Sequence, residues 1–168
     1  MANHNAVLDL AKKKKYKDAL YLHNHSLDEQ TKVFGPEHPI VASTLNSMGS
    51  ILCKLNFAEC AIECYEQALE IRTKSNGQDS LKVADTAYNL ALALTEINNY
   101  SEAEKYFLQA LEIYLKSPEP NWCLVSTILH CLGGVLYFLG KLDEALEWYK
   151  KTLEIRLNFN PLDFLSVT

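Results

Sequence analysis

Apolar residues recur along the chain with a period of 42 residues. Leucine, alanine and valine each form a series that keeps this spacing over the length of the sequence. Several series with one period indicate an internal repeat, and a repeat of this length is typical of stacked supersecondary units. The 168 residues correspond to four such periods. The series are Leu10, Leu52, Leu94 and Leu136; Ala19, Ala61, Ala103 and Ala145; and Val41, Val83, Val125 and Val167.

Each period is predicted to form two helices. From Pro39 to Leu55 the apolar residues are separated by steps of three and four, which places them on one face of a helix. A second helix is predicted from Glu59 to Thr73. Polar turns follow the first helices at Asn56, at Asn98 and Asn99, and at Gly140 and Lys141. No stretch alternates apolar and polar residues as a half-buried strand does. The sequence therefore predicts an all-α solenoid of four helix-turn-helix repeats.

The repeat limits follow from the connectors, in which glycine and proline end the preceding helix. Lys12 to Lys15 align with the turn of the first repeat, where exposure is expected. Val167 is in phase with Val125, so an apolar face is expected to lack its polar cap. Three explanations stay open: end-to-end self-association, folding of the tail onto the last second helix, and truncation from a longer protein. The predicted repeats are about 1–36, 37–78, 79–120 and 121–160, with 161–168 as a tail or the start of a truncated fifth repeat.

The small and aromatic positions of these repeats resemble a known family. A small residue in the first helix, Ala61 and Ala68 in the second, and Tyr65 between them resemble the tetratricopeptide repeat. Such small residues are expected to let neighbouring helices approach closely. Those of the first helices are Gly49, Ala91 and Gly133. The connector that runs from Phe34 to Ala42, FGPEHPIVA, resembles that of the 42-residue repeats of kinesin light chains and nephrocystin-3-like proteins. The resemblance implies a right-handed superhelix whose first helices line a concave groove. It also implies a protein-interaction scaffold or adaptor that binds peptide segments in that groove.

The groove positions are the first-helix residues that lie off the apolar stripe. Amides such as Asn46 and Asn89 both donate and accept hydrogen bonds, as an extended peptide requires. Tyrosines offer a large and stiff contact area. An alternative function, a structural or self-assembling repeat module with no groove ligand, stays open. The predicted groove residues are Ser43, Asn46, Ser50, Asp85, Tyr88, Asn89, Thr127, His130, Gly134, Tyr137 and Phe138.

One specialised form of peptide binding is disfavoured. Some tetratricopeptide domains hold the terminal carboxylate of a chaperone with lysine and arginine side chains on the first helices. The matching positions here include Ser47, Asp85 and Asn89, and none of them is lysine or arginine. Because carboxylate capture needs cationic donors, this function is not expected.

Composition and charge restrict the remaining partners. Apolar residues make up 48% and charged residues 22%, as in an ordinary globular protein, and the net charge of −5 disfavours nucleic acid and anionic membranes. The longest nearly apolar run, Ile128 to Gly140, is shorter than the roughly 20 residues that span a bilayer. We expect a cytoplasmic protein with protein or peptide partners.

No catalytic or metal-binding pattern is found. The five cysteines are an odd number, which favours reduced thiols. Cys60 and Cys64 share a helix face, yet no further pair of ligands lies at zinc spacing. Gly133 and Gly134 lack the lysine of a phosphate loop. We expect no enzymatic activity, no metal and no cofactor.

Overall fold

The computed structural model describes the backbone of residues 2–159 and the side chains of residues 12–158, and this range contains helices but no strand. The chain divides into two compact units, Met1–Gly77 and Gln78–Thr168. The helices are α1 (Ala2–Phe34), α2 (Pro39–Lys54), α3 (Ala58–Asn76), α4 (Leu81–Glu96), α5 (Tyr100–Lys116), α6 (Trp122–Phe138) and α7 (Leu142–Phe159). The prediction of an all-α fold is confirmed.

Three helix pairs, α2 with α3, α4 with α5 and α6 with α7, share one turn geometry. Asn56, Asn98 and Gly140 have φ values of 64°, 60° and 78°, the left-handed region that asparagine and glycine tolerate. The amide after each of them donates to a carbonyl five residues earlier at 2.9 Å, which satisfies one of the last carbonyls of the first helix. The turns predicted at these positions are confirmed.

The first helix of each pair begins at a side-chain cap. Nδ1 of His38 accepts from the amide of Ile40 at 3.2 Å, and Oγ of Ser80 accepts from that of Lys82 at 3.3 Å. Oδ1 of Asn121 accepts from an amide of α6 at 3.1 Å. Such caps satisfy helix donors that would otherwise lack a partner. They fix where α2, α4 and α6 start.

The first predicted repeat has a different form. The expected turn at Lys12 to Lys15 is wrong, because α1 continues through these residues as one helix. The physical reason lies in the sequence: the other turns hold asparagine or glycine, whereas lysine is a good helix former. The four lysines are exposed, as expected. Residues 160–168, which include the predicted tail and Val167, lie outside the described residues, and the repeat limits themselves stay predictions.

The small positions allow close contact within each pair, as predicted. A Cβ atom on Gly49 would lie 2.7 Å from the ring of Tyr65, and one on Gly133 would lie 2.8 Å from the ring of Tyr149. The equivalent position in α4 is Ala91, which is fully buried. Helix pairs therefore hold an aromatic ring of the second helix against a small residue of the first.

Candidate functional site

The outward-facing residues of α4 and α6 form a surface of the second unit, which we call the α4–α6 surface. Each of its members is at least partly exposed. Residues of both helices, among them Leu92 of α4 and Cys131 of α6, line one cavity, so the two helices contribute to one site. The members are Asp85, Tyr88, Asn89, Leu92 and Thr95 on α4, and Thr127, His130, Cys131, Gly134, Tyr137 and Phe138 on α6.

A cavity of about 170 Å³ opens on the α4–α6 surface. Three of the predicted groove residues, His130, Gly134 and Phe138, line it. Leu92 and Thr95 line it from α4, and the hydroxyl of Thr95 donates to a carbonyl of its own helix at 2.8 Å. The lining is therefore mainly apolar. The full set is Leu92, Thr95, Phe107, His130, Cys131, Gly134, Val135 and Phe138.

Two exposed aromatic residues stand at the edge of this cavity. Phe138 is 63% exposed and Tyr137 is 57% exposed, and their rings meet edge to face at 5.6 Å. The ring of Phe138 also stacks on that of Tyr100 at 4.8 Å, with the planes only 6° apart. The stacking fixes the position of the Phe138 ring while leaving its other side to solvent. The edge thus offers pre-positioned apolar area to a ligand.

The opposite part of the surface is polar. The hydroxyl of Tyr114 on α5 donates to the carboxylate of the exposed Asp85. Burial raises the pKa of Tyr114 above its usual range, and the hydrogen bond to the carboxylate adds to the shift. Burial likewise raises the pKa of Tyr88 and that of Cys131, the latter opposed by Arg156. The site therefore combines one carboxylate with neutral tyrosine and thiol groups.

Sequence reasoning missed the residues that the second helices contribute. Phe107 of α5 lines the cavity, and the hydroxyl of Tyr114 of α5 donates to the carboxylate of Asp85. Burial raises the pKa of Cys131, and the charge of Arg156 on α7 opposes that rise. The repeat period contains the signal for two of them, because Tyr114 and Arg156 occupy the same position 42 residues apart. The groove residues were predicted on first helices alone, and these three residues lie on second helices.

The remaining predicted groove residues lie in the first unit. Ser43, Asn46 and Ser50 are on α2, and none of them is buried. Oγ of Ser43 donates to the carbonyl of Pro39 at 3.1 Å, so this hydroxyl is tied to its own helix. The structure thus brings together the predicted residues of α4 and α6, and it places those of α2 in a separate unit.

We searched the described residues for metal ligands, exposed thiols and membrane-spanning helices. No group of three or more histidine, cysteine, aspartate or glutamate side chains there could hold a metal ion. The thiols of Cys60 and Cys123 are exposed. Among the helices described, none has the length and apolar character needed to cross a bilayer.

Comparison with solved structures finds the same fold in proteins of low sequence identity. BtubC (BKLC) of P. vanneervenii matches with a TM-score of 0.83 and 23% identity over 88% of this chain, and the match spans 59% of BtubC. A protein of Podospora anserina, described as a kinesin light chain with nearly identical TPR-like repeats, matches with a TM-score of 0.78 and 19% identity, over 90% of this chain and 73% of that one. MamA matches with a TM-score of 0.66 and 21% identity, over 89% of this chain and 73% of its own. These identities establish a shared fold and nothing beyond it.

Sequence comparison identifies the repeat. A search of curated proteins finds no significant match. Two profiles of the tetratricopeptide repeat, in contrast, match residues 41–116 and 125–158, which contain α3 to α5 and most of α2, α6 and α7. The matched segments also contain the predicted small and aromatic positions of three helix pairs. The chain therefore belongs to the tetratricopeptide repeat family.

Proposed function

We propose that the protein is an interaction scaffold that binds a peptide segment of another protein on the α4–α6 surface. Tetratricopeptide domains are in general protein-interaction modules. The observation that carries the proposal is the apolar cavity between α4 and α6, which receives one side chain of the peptide. Small, mainly apolar cavities with a few polar groups nearby are the usual form of a binding site.

The cavity volume indicates the size of that side chain. An apolar cavity of roughly 150 Å³ admits a benzene molecule. The volume of about 170 Å³ here therefore suits a leucine, methionine or phenylalanine side chain. The exposed ring of Phe138 would cover such a side chain from the rim, because aromatic rings give large contact area at low entropic cost.

The polar part of the surface would orient the peptide. Asp85 lies seven residues, or about 10 Å along the helix, before Leu92 at the cavity. An extended peptide covers that distance in about three residues. The carboxylate of Asp85 and the ring of Tyr88 would therefore contact the peptide on one side of the inserted apolar side chain.

Peptide binding is tested by filling the cavity without damaging the fold. A Cβ atom on Gly134 would lie 3.6 Å from the hydroxyl oxygen of Tyr149, which is an ordinary contact. Gly134→Ala therefore keeps the fold while it occupies part of the cavity. For peptides selected from a display library on the unaltered chain, we expect the variant to weaken binding about tenfold, measured by fluorescence anisotropy.

Two further variants complete this test. Phe138→Ala removes the rim and should weaken the same peptides to a similar degree. Leu108→Ala, at a 41% exposed residue of α5 outside the cavity, is the matched control and should leave binding unchanged. Unaltered affinity in both Gly134→Ala and Phe138→Ala would contradict the proposed site.

The proposal includes an adaptor role in the cytoplasm. The exposed thiols of Cys60 and Cys123 suit a reducing compartment, in which free cysteines persist.

A further inference from the structure

We infer that α7 binds α7 of a second copy of this chain through a stripe of four leucines, which we call the α7 leucine stripe. Leu142, Leu146, Leu153 and Leu157 are 59%, 53%, 49% and 51% exposed. At about 100° per residue, the four side chains fall within roughly 60° of arc on the helix. A continuous exposed apolar stripe on a helix marks an interaction surface.

Most of the equivalent face of α5 is covered within the chain. Shifted by 42 residues, the stripe corresponds to Tyr100, Glu104, Leu111 and Leu115. The ring of Tyr100 stacks on Phe138, and Glu104 pairs with Lys141 at 2.9 Å. Leu111 is only 5% exposed, whereas Leu115 is 49% exposed. Three of the four positions therefore make contacts within the chain in α5, and in α7 all four positions are exposed leucines.

The spacing of the leucines makes the stripe complementary to itself. The intervals are four, seven and four residues, so the pattern reads the same in both directions. Two copies of α7 that run antiparallel about a twofold axis place Leu142 opposite Leu157 and Leu146 opposite Leu153 of the second copy. A twofold interface requires this reciprocity, in which residue i contacts j and j contacts i. A partner of a different kind would not require a symmetric spacing.

Charges near the twofold axis do not oppose this pairing. Lys150 lies next to the centre of the stripe, and its ammonium group is neutralised by Glu147 of the same helix at 2.9 Å. Lys151 is directed to the ring of Trp148, with 4.4 Å between the nitrogen and the ring centroid. The interface remains small, because stable complexes usually bury more than about 1,000 Å². We therefore expect a weak, concentration-dependent dimer that does not involve the α4–α6 surface.

The test compares apparent mass with concentration by sedimentation equilibrium. The unaltered chain should behave as a 19.0 kDa monomer at low concentration and approach twice that mass at high concentration. Leu146→Glu and Leu153→Lys should each weaken association at least about tenfold, because each buries a charge opposite leucine. Circular dichroism checks that both variants fold, and Leu108→Glu on α5 is the control that should associate normally.

The antiparallel arrangement is tested by mixing the two variants. In the mixed dimer the introduced glutamate lies opposite the introduced lysine, while the second Leu146–Leu153 contact of the twofold pair stays intact. Association should therefore recover in the mixture. A monomer at all concentrations, undiminished association of either single variant, or no recovery on mixing would each overturn the inference.

Discussion

The helix pairs α4/α5 and α6/α7 belong to one compact unit and follow the same 42-residue frame, yet their surroundings differ. Phe107 of α5 is completely buried, whereas Tyr149 at the same position of α7 is partly exposed. Leu111 is 5% exposed, and Leu153, its equivalent, is 49% exposed. The repeat pattern alone therefore does not determine burial, because burial also depends on the other helices that pack against a pair, as α6 packs against α5.

Electrostatic contacts show the same contrast. Lys116 at the end of α5 pairs with Asp79 of the connector at 2.9 Å and with Glu112 at 3.0 Å. The α2/α3 pair repeats this arrangement, with Lys74 between Glu37 and Glu70. In the last pair the equivalent positions hold Asn121, Glu154 and Asn158. Asn121 instead caps α6, so a connector position that binds a lysine of the second helix in one repeat serves helix initiation in the next.

The largest expected effect tests the difference in burial. Phe107→Ala should lower the free energy of unfolding by about 3–5 kcal/mol, as truncation of a fully buried aromatic residue does. Tyr149→Ala should cost only about 1–2 kcal/mol, because its side chain already contacts solvent. Urea unfolding followed by circular dichroism measures both. Equal losses would show that the two helix pairs are packed alike in solution.

Smaller effects are expected at two adjacent glycines of α6, and the two substitutions should change the stability in opposite directions. Gly133→Ala places a methyl group 2.8 Å from the ring of Tyr149 and should cost about 1–2 kcal/mol through overpacking. Gly134→Ala has room and should gain about 0.5–1 kcal/mol, because alanine favours the helix. The thermal midpoints of the two variants should therefore move in opposite directions. Stabilisation by both changes would mean that Tyr149 does not contact α6 closely.

The smallest expected effect concerns Tyr114, which has no ionisable tyrosine equivalent in α7. Its pKa is raised in the folded chain, so the folded state keeps the proton when the unfolded chain loses it near pH 10. Its contribution to stability is complete below about pH 10 and declines above that value, by up to about 1 kcal/mol per pH unit. Urea unfolding between pH 8 and 11 should show a shallower decline for Tyr114→Phe than for the unaltered chain. Parallel curves would contradict the raised pKa of Tyr114, which burial and the hydrogen bond to Asp85 produce together. Lysine titration cancels because it is common to both proteins.

Much of the fold could be predicted from the period and the spacing of apolar residues. The turns at Asn56, Asn98 and Gly140 were predictable because asparagine or glycine interrupts the apolar stripe at the same place in each period. The small position at Gly133 was predictable because a small residue recurs every 42 residues, at Gly49, Ala91 and Gly133. The continuous α1 was not, because alignment with the other repeats outweighed the helix propensity of Lys12 to Lys15.

The site could be predicted only in part. The apolar stripe of the predicted first helix of the fourth repeat identified His130, Gly134 and Phe138, because residues off the core face of a helix must face outward. It could not show that these three residues share a cavity with Leu92, which depends on the separation of α4 and α6. Nor could it show that Tyr114 reaches Asp85 from another helix, since contacts between second and first helices depend on tertiary packing.

The order of the helices has a consequence for how the chain folds. Within residues 2–159, the principal contacts join helices that are neighbours along the chain. Contacts of short sequence separation cost little loop-closure entropy, which favours folding within microseconds to milliseconds. Within each unit, nucleation can then start at one helix pair and spread to the neighbouring helices. Addition or removal of a complete 42-residue segment within a unit would accordingly change the length of that unit without requiring a new folding mechanism.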